Sequence, residues 1–204
     1  MPYGKLIVLE GADGCGKSTH AKLLGEHLKK QGRDLVMTAE PTKGFIGTGI
    51  RKILGGNKTE SPEILALLFA ADRKEHIETI ILPALKEGKI VITDRYLYSN
   101  IAYQGVQGIS PDWVSEINSF APEPDLVLVL SIPSTKAMER MFHREREIFE
   151  FTEFQEKVQK RLFDIANGGS TKLSVPGKKW VIVSTSGELE ATQEKIRKEV
   201  SKIL

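Results

Sequence analysis

The chain has 204 residues, of which 40% are hydrophobic and 27% carry a charge, and its formal net charge is only +2. A chain of this length and composition is expected to form one globular domain, residues 1–204, around a buried core. The small net charge argues against a nucleic-acid partner, since the densest charged run, HREREIFE at 143–150, alternates in sign.

No targeting or membrane-spanning signal is evident in the sequence. The apolar runs are shorter than the roughly 18 residues that a membrane-spanning helix needs, and the N-terminal MPYGKLIVLEG lacks the features of a signal peptide. A single cysteine, Cys15, leaves no intramolecular disulfide to form. We therefore expect a cytoplasmic protein without a membrane partner.

Short apolar runs alternate with longer amphipathic segments along the chain. Runs such as LIVLE, IVITD and LVLVL are apolar at successive positions, which is typical of strands covered on both faces of a parallel sheet. This alternation predicts an α/β fold with right-handed crossovers. The predicted strands are Lys5–Glu10, Asp34–Ala39, Lys89–Asp94, Leu126–Ser131 and Lys179–Ser184, and the predicted helices are Lys17–Gln31, Pro62–Glu87 with a bend near Pro83, Pro111–Ser119, Ser134–Arg146, Phe151–Asn167 and Glu188–Leu204.

The first predicted strand is followed by GADGCGKS at 11–18, which matches the phosphate-binding pattern G-x-x-x-x-G-K-[ST] at every position. Its glycines let successive backbone N–H groups turn toward an anion, and the next helix adds its positive N-terminal end. We expect Lys17 to reach the β- and γ-phosphates and Ser18 to bind Mg²⁺. The predicted ATP-binding residues are Gly11, Ala12, Asp13, Gly14, Cys15, Gly16, Lys17, Ser18 and Thr19.

A second acidic signal accompanies this P-loop. The strand IVITD ends at Asp94, where a carboxylate reaches Mg²⁺ or its water ligands in P-loop enzymes. The guanine-reading motif N-K-x-D is absent, because NKTE at 57–60 has glutamate in place of the aspartate. A compact phosphotransferase is favoured, and a nucleotide-dependent switch or binding module is the alternative from another class.

Two segments could receive an acceptor molecule. In LLFAADRKEH, Phe69 and Arg73 are four residues apart and share a helix face, where an aromatic ring and a guanidinium can bind a planar base. The simpler interpretation is a core phenylalanine beside a surface arginine. In DRYLYSNIAYQG, a helix would align Arg95 with the hydroxyl groups of Ser99 and Tyr103, a polar face suited to a substrate. The amides of Asn100 and Gln104 lie beside them.

These stretches together resemble thymidylate kinases, which transfer a phosphoryl group from ATP to dTMP. The resemblance covers nearly the whole chain and depends on the P-loop with Asp13, EPT at 40–42, LLFAADR at 67–73, DRYLYSNIAYQ at 94–104, PDLVLVL at 124–130 and FEFTEFQEKVQ at 149–159. It implies a three-layer P-loop NTPase fold with a five-stranded parallel sheet, a short helical lid at about residues 134–150, Mg²⁺ as cofactor and a homodimer.

The resemblance also implies substrate contacts. Phe69 would stack on thymine and Arg73 would hydrogen-bond the base edge, while Arg95 and Arg51 would hold the 5′-phosphate. Tyr103 would crowd a ribose 2′-OH. The implied substrate-binding residues are Asp13, Glu40, Arg51, Phe69, Arg73, Arg95, Ser99, Asn100, Tyr103 and Gln104.

Some thymidylate kinases carry an arginine inside the P-loop, and others have glycine there and supply arginines from the lid. With glycine at position 14, this sequence resembles the second group. The implied catalytic residues are Lys17, Arg95, Arg140, Arg144 and Arg146, of which the last three fall in the lid. From their sequence alone, these three arginines could equally be surface residues paired with glutamates.

Two further expectations concern chemistry. A monophosphate acceptor is already ionised near neutral pH, so no general base is required, whereas a deoxynucleoside's hydroxyl would need one. A kinase of the same fold acting on another monophosphate or on a deoxynucleoside is the nearest alternative. Cys15, close to a helix N-terminus and to Lys17, is predicted either to have a lowered thiol pKa or to be an inert small residue.

Overall fold

The computed structural model describes residues 3–57, 60–141, 152–168 and 177–204. Its core is a five-stranded parallel sheet with the strand order β2-β3-β1-β4-β5. The strands are β1 Lys5–Glu10, β2 Leu35–Ala39, β3 Ile90–Asp94, β4 Leu126–Ser131 and β5 Trp180–Ser184, each within one residue of its predicted bounds.

Helices cover both faces of this sheet, which confirms the α/β P-loop fold class. Residues of β1 alternate between two hydrophobic clusters: Leu6 and Val8 belong to one, Ile7 and Leu9 to the other. All four side chains are buried, which explains the continuous apolar runs. The helices are α1 Lys17–Lys30, α2 Phe45–Lys52, α3 Pro62–His76, α4 Leu82–Lys86, α5 Leu97–Val106, α6 Pro111–Ile117, α7 Ser134–Met141, α8 Thr152–Ala166 and α9 Leu189–Ser201.

Helix α2 is absent from the predicted elements. Its sequence contains Gly47 and Gly49, which weaken the helical signal because glycine disfavours a helix interior. Tertiary packing explains why the helix forms: a Cβ on Gly47 would lie 2.2 Å from the carbonyl oxygen of Thr42. The glycine lets α2 pack directly on the loop after β2.

The long helix predicted for Pro62–Glu87 is interrupted one turn before Pro83 rather than at Pro83 itself. A wide π-helical turn, Ile77–Ile81, joins α3 to α4. Pro83 has no N–H to donate to the carbonyl of Thr79, so the hydrogen-bond pattern must change in this turn. The predicted bend near Pro83 therefore corresponds to a change in helix type one turn earlier.

The carboxyl ends of all five strands lie at one edge of the sheet because the strands are parallel. β1 occupies the centre, between β3 and β4, and the P-loop leaves from its end. Such a position, where the strand order reverses, is where open α/β sheets bind ligands. Within the described ranges, every helix is too short or too polar to span a bilayer.

Candidate active site

A cavity of about 470 Å³ opens at this carboxyl edge, bordered by the P-loop, α2, α3 and α5. Contacts link its two ends: Arg95 bonds to Asp13 of the P-loop, and Arg73 bonds to Asn100 on α5. The predicted site residues that line the cavity are Asp13, Gly14, Gly16, Lys17, Ser18, Thr19, Glu40, Arg51, Phe69, Arg73, Asp94, Arg95, Ser99, Asn100, Tyr103 and Gln104.

The remaining predicted residues are not among those that line the cavity in the described part of the chain. Gly11, Ala12 and Cys15 are buried in the P-loop and do not line the cavity. Arg140 belongs to α7, but its side chain falls outside the described residues, as do Arg144 and Arg146 entirely.

The P-loop is wrapped around the ammonium group of its own lysine. Lys17 Nζ donates to the carbonyl oxygens of Gly11 and Ala12, each at 3.0 Å. Gly14 has a φ of 77°, and a Cβ there would lie 2.8 Å from the carbonyl oxygen of Ala137 on α7. Both the left-handed backbone conformation and the close approach of α7 disfavour a side chain at position 14.

Ser18 and Asp94 meet at the mouth of the P-loop. Ser18 Oγ donates to Asp94 Oδ2 at 2.5 Å, and Asp94 Oδ1 is buried without a hydrogen-bond partner among the described residues. An unpartnered carboxylate oxygen beside a serine hydroxyl fits Mg²⁺, which typically takes one or two protein oxygens and completes its shell with phosphates and water. The described residues contain no cluster of three or more histidine, cysteine, aspartate or glutamate side chains that could hold a metal ion.

Arg95 is held over the P-loop by its backbone and by four neighbours. Its φ of 72° is unusual for a residue with a side chain, and its N–H donates to the carbonyl of Leu9 at 2.9 Å. The guanidinium pairs with Asp13 and donates to Ser99 Oγ at 2.9 Å and to Tyr103 Oη at 3.2 Å. The predicted polar face therefore converges on one cation.

Gln155 on α8 is a site residue that the sequence prediction missed. Its Nε2 donates to Asp13 Oδ2 and its Oε1 accepts from the Asp13 backbone N–H, both at 2.8 Å. The signal was present: Gln155, Val158, Leu162 and Ile165 are buried at helical spacing, so an amide occupies a position otherwise apolar.

Glu10 is a second missed residue, at the end of β1 and fully buried. Its carboxylate accepts from the backbone N–H groups of Tyr96 and Ser99, at 2.8 and 3.1 Å, and from Ser99 Oγ at 2.5 Å. Glu10 thus caps the start of α5, and Ser99 connects it to Arg95. Burial raises the pKa of Glu10 from 4.5 to about 7, although these hydrogen bonds and Arg95 oppose the shift.

This raised pKa predicts how stability depends on pH. The folded protein binds the Glu10 proton more tightly than the unfolded chain, so its contribution is fully present below pH 4.5 and is lost as the pH rises to about 7. We expect Glu10→Gln to remove about 3 kcal/mol of this pH dependence, measured as the free energy of unfolding in urea between pH 4.5 and 8.

A control for Glu10 is Glu199, whose pKa is lowered to about 2 by hydrogen bonds from Lys179 and Lys202. Its contribution to stability is present above pH 4.5 and is lost only as the pH falls toward 2. Glu199→Gln should therefore leave the slope between pH 4.5 and 8 as in the parent protein. An identical slope in the parent and in Glu10→Gln would contradict the assignment.

The far end of the cavity is formed around Arg73, which is 1% exposed and so is not a surface arginine. Its Nε and Nη2 donate to Glu40 Oε2 at 2.9 and 2.7 Å, and its Nη1 donates to Asn118 Oδ1 at 2.5 Å. Phe69, one turn earlier on α3, is half-buried and lines the same cavity. Removing one member of a buried ion pair costs about 3–5 kcal/mol, which makes Glu40 and Arg73 structurally inseparable.

The loop after β2 places Arg51 at this end. Thr42 is fixed by Asp72, which accepts from its backbone N–H at 2.8 Å and from its Oγ1 at 2.5 Å. Arg51 donates through Nη2 to the carbonyl of Pro41. The guanidinium of Arg51 therefore lines the cavity from the side of α2.

The lowered pKa predicted for the Cys15 thiol is wrong. The side chain is fully buried, and burial raises its pKa although Lys17 Nζ lies 3.8 Å from Sγ. A Cβ on Gly11 would come within 2.6 Å of this sulfur. Cys15 is thus the inert, closely packed residue of the alternative interpretation.

Comparison with known proteins identifies the family. The thymidylate kinase family profile matches residues 9–196. A probable thymidylate kinase of Pyrococcus abyssi is 46% identical over 171 residues, which cover 80% of this chain and 83% of that protein. Those of Methanococcus vannielii and Methanococcus aeolicus are 45% and 42% identical, covering 90% and 98% of this chain and 88% and 95% of theirs. With its P-loop and its cavity, the chain belongs to the thymidylate kinase family.

Proposed function

We propose that the protein transfers the γ-phosphoryl group of ATP to the 5′-phosphate of dTMP by direct in-line displacement, releasing ADP and dTDP. The observation that carries this proposal is the continuity of one cavity from the P-loop, through Arg95, to the buried Arg73. A continuous cavity of this kind supports the binding of a donor phosphate, an acceptor phosphate and a base side by side. Membership of the thymidylate kinase family supports the choice of acceptor.

On the donor side, the P-loop backbone and Lys17 hold the β- and γ-phosphates. In the structure the Lys17 ammonium contacts loop carbonyls, and these are weaker partners than a phosphate dianion, so the ammonium turns outward when ATP binds. Ser18 and Asp94 would hold Mg²⁺. When bound, this ion neutralises charge on the β- and γ-oxygens.

On the acceptor side, Arg95 holds the 5′-phosphate with help from Arg51. The second pKa of a phosphate monoester is about 6, so the acceptor oxygen is ionised near neutral pH and no residue need remove a proton. The rate acceleration then comes from positioning the two substrates and from stabilising the charge that develops during transfer. The Asp13–Tyr103–Gln155 cluster fixes the orientation of Arg95 and limits the space beside the sugar.

At the far end, Phe69 stacks on the thymine ring and Arg73 donates to its edge, with Asn100 and Gln104 completing the polar wall. Tyr103 Oη donates to Asp13 Oδ2 at 2.9 Å, which fixes the phenol where a ribose 2′-OH would collide with it. Burial raises the pKa of Tyr103, so this donor stays protonated. The arrangement favours a deoxynucleotide.

The lid and the assembly belong to the same proposal. Residues 1–204 form one kinase domain whose lid, residues 134–150, contributes Arg140, Arg144 and Arg146 to the transferring phosphate. A homodimer is supported by the exposed Ile64 and Leu67, one helical turn apart on α3. Light scattering should then give twice the chain mass of 22.7 kDa, and we place the protein in the cytoplasm.

The decisive test is ADP release from Mg·ATP over dTMP, dUMP, dCMP and thymidine. We expect the highest kcat/KM for dTMP and loss of activity when EDTA removes the metal. Thymidine should not be turned over, because no general base among the described residues is positioned to deprotonate its 5′-hydroxyl. Preference for another monophosphate, or for thymidine, would establish the corresponding alternative kinase. ATP binding without transfer to any acceptor would instead indicate a switch or binding module.

A further inference from the structure

His76 is a buried histidine for which the proposed reaction has no use. It lies at the end of α3, is 1% exposed, and joins two elements that border the acceptor end of the cavity. Its Nε2 lies 2.7 Å from Thr38 Oγ1 on β2, and its Nδ1 lies 3.0 Å from Glu40 Oε1. Neither ring nitrogen lines the cavity.

The hydrogen-bond chemistry assigns a direction to these contacts. The carboxylate of Glu40 can only accept, so Nδ1 of His76 donates to it, and Thr38 holds the other side of the ring. The two oxygens of Glu40 then have separate partners: Oε1 accepts from His76, and Oε2 accepts twice from Arg73. The plane of the carboxylate is fixed from both sides.

That plane determines where Arg73 points. Nε and one Nη2 proton are directed at Glu40, and Nη1 donates to Asn118 and, at 3.4 Å, to Asn100. One Nη2 proton has no hydrogen-bond partner among the described residues, and Arg73 is one of the residues that line the cavity. If the Glu40 carboxylate rotated, both hydrogen bonds from Arg73 to Glu40 would shift. The free Nη2 proton would then point in a different direction.

We propose that His76 is a positioning residue for base recognition: through Glu40 it holds Arg73 so that a free N–H faces a carbonyl on the base edge. The inference rests on the proposed function, since the base is that of the acceptor nucleotide. A donor at this place favours a carbonyl over an amino group at the same ring position, because an amino group leaves the buried donor unpaired. His76 thereby contributes to the choice between thymine and cytosine.

The competing explanation is that His76 merely fills space under α3. A matched pair of variants separates the two. An asparagine amide nitrogen lies near the place of Nδ1, and a glutamine amide lies near the place of Nε2. His76→Asn therefore keeps the donor to Glu40 and removes volume, whereas His76→Gln keeps more volume and loses that donor.

The experiment measures kcat and KM for dTMP and dCMP, and the KM for ATP, in the parent, His76→Asn and His76→Gln. We expect His76→Gln to raise the KM for dTMP at least about 10-fold and to narrow the dTMP/dCMP ratio of kcat/KM by a similar factor. Saturated kcat and the KM for ATP should stay within about 3-fold of the parent. His76→Asn should remain within about 3-fold of the parent throughout.

Parent-like kinetics in His76→Gln, or equal damage in both variants, would overturn the inference. If the His76 variants do not fold, Thr38→Val removes only the contact to Nε2 and should raise the KM for dTMP about 3-fold without changing the KM for ATP. No change in Thr38→Val would then overturn it. Failure of the proposed function looks different, because the parent itself would not use dTMP.

Discussion

Replacing Arg95 by alanine is expected to lower kcat/KM for dTMP by about 10³-fold, the effect of arginines that stabilise a transferring phosphate. The substitution removes the cation that Asp13, Ser99 and Tyr103 hold in place. It also removes the positive charge that Arg95 places beside the carboxylate of Asp13, so this carboxylate would repel the acceptor phosphate more strongly. The KM for ATP should change little, because Lys17 and the P-loop backbone remain.

Arg95→Lys is the matched control. Lysine keeps the positive charge but supplies a point donor in place of a planar fork, so it cannot hold a hydroxyl, a carboxylate and a phosphate together. We expect about 10²-fold loss for this variant. Steady-state kinetics with dTMP as the varied substrate would check both values, and a loss below about 10-fold in Arg95→Ala would remove Arg95 from the acceptor site.

The arginines proposed for the lid give the second large effect. Arg144→Ala or Arg146→Ala is expected to lower kcat by at least about 100-fold with little change in the affinity for dTMP, because these side chains act on charge that develops during transfer. The P-loop offers no substitute arginine, since position 14 is a glycine, where a Cβ would collide with Ala137 on α7. Single-turnover phosphoryl transfer and dTMP titration would separate the two quantities.

Arg140→Ala belongs in the same series. If transfer rates are as in the parent in all three single variants, the charge must come from elsewhere in the chain. A loss confined to one position would instead identify the dominant arginine, which the sequence leaves open.

Strands were the most predictable part of this protein. Each of the five is a run of apolar residues bounded by polar or glycine-containing turns, and in the three central strands these residues are buried on both faces of the sheet. Helix α2 escaped prediction because its glycines are explained by contact with Thr42, a tertiary property that local propensity does not contain.

The site divides in the same way. Phe69, Arg73 and Arg95, which line the cavity, could be proposed from the sequence because they stand in motifs that carry the family resemblance. Glu10, Gln155 and His76 act on those residues from distant segments, so only the fold brings them together. For Cys15 the sequence was misleading. Its proximity to Lys17 suggested a lowered thiol pKa, whereas burial has the larger effect and raises that pKa.

The P-loop is in contact with chain segments on both sides of residues 138–154. A Cβ at position 14 would collide with Ala137 on α7, and the neighbouring Asp13 is bonded to Gln155 on α8. Ala137 and Gln155, which precede and follow the proposed lid arginines in the sequence, are therefore both held beside the P-loop. If those arginines act at the P-loop, the length of chain between the two anchors sets the effective concentration of guanidinium groups there, and that concentration changes only slowly with added residues. We expect glycine-serine insertions between the anchors to lower turnover gradually, and the release of either anchor to lower it steeply.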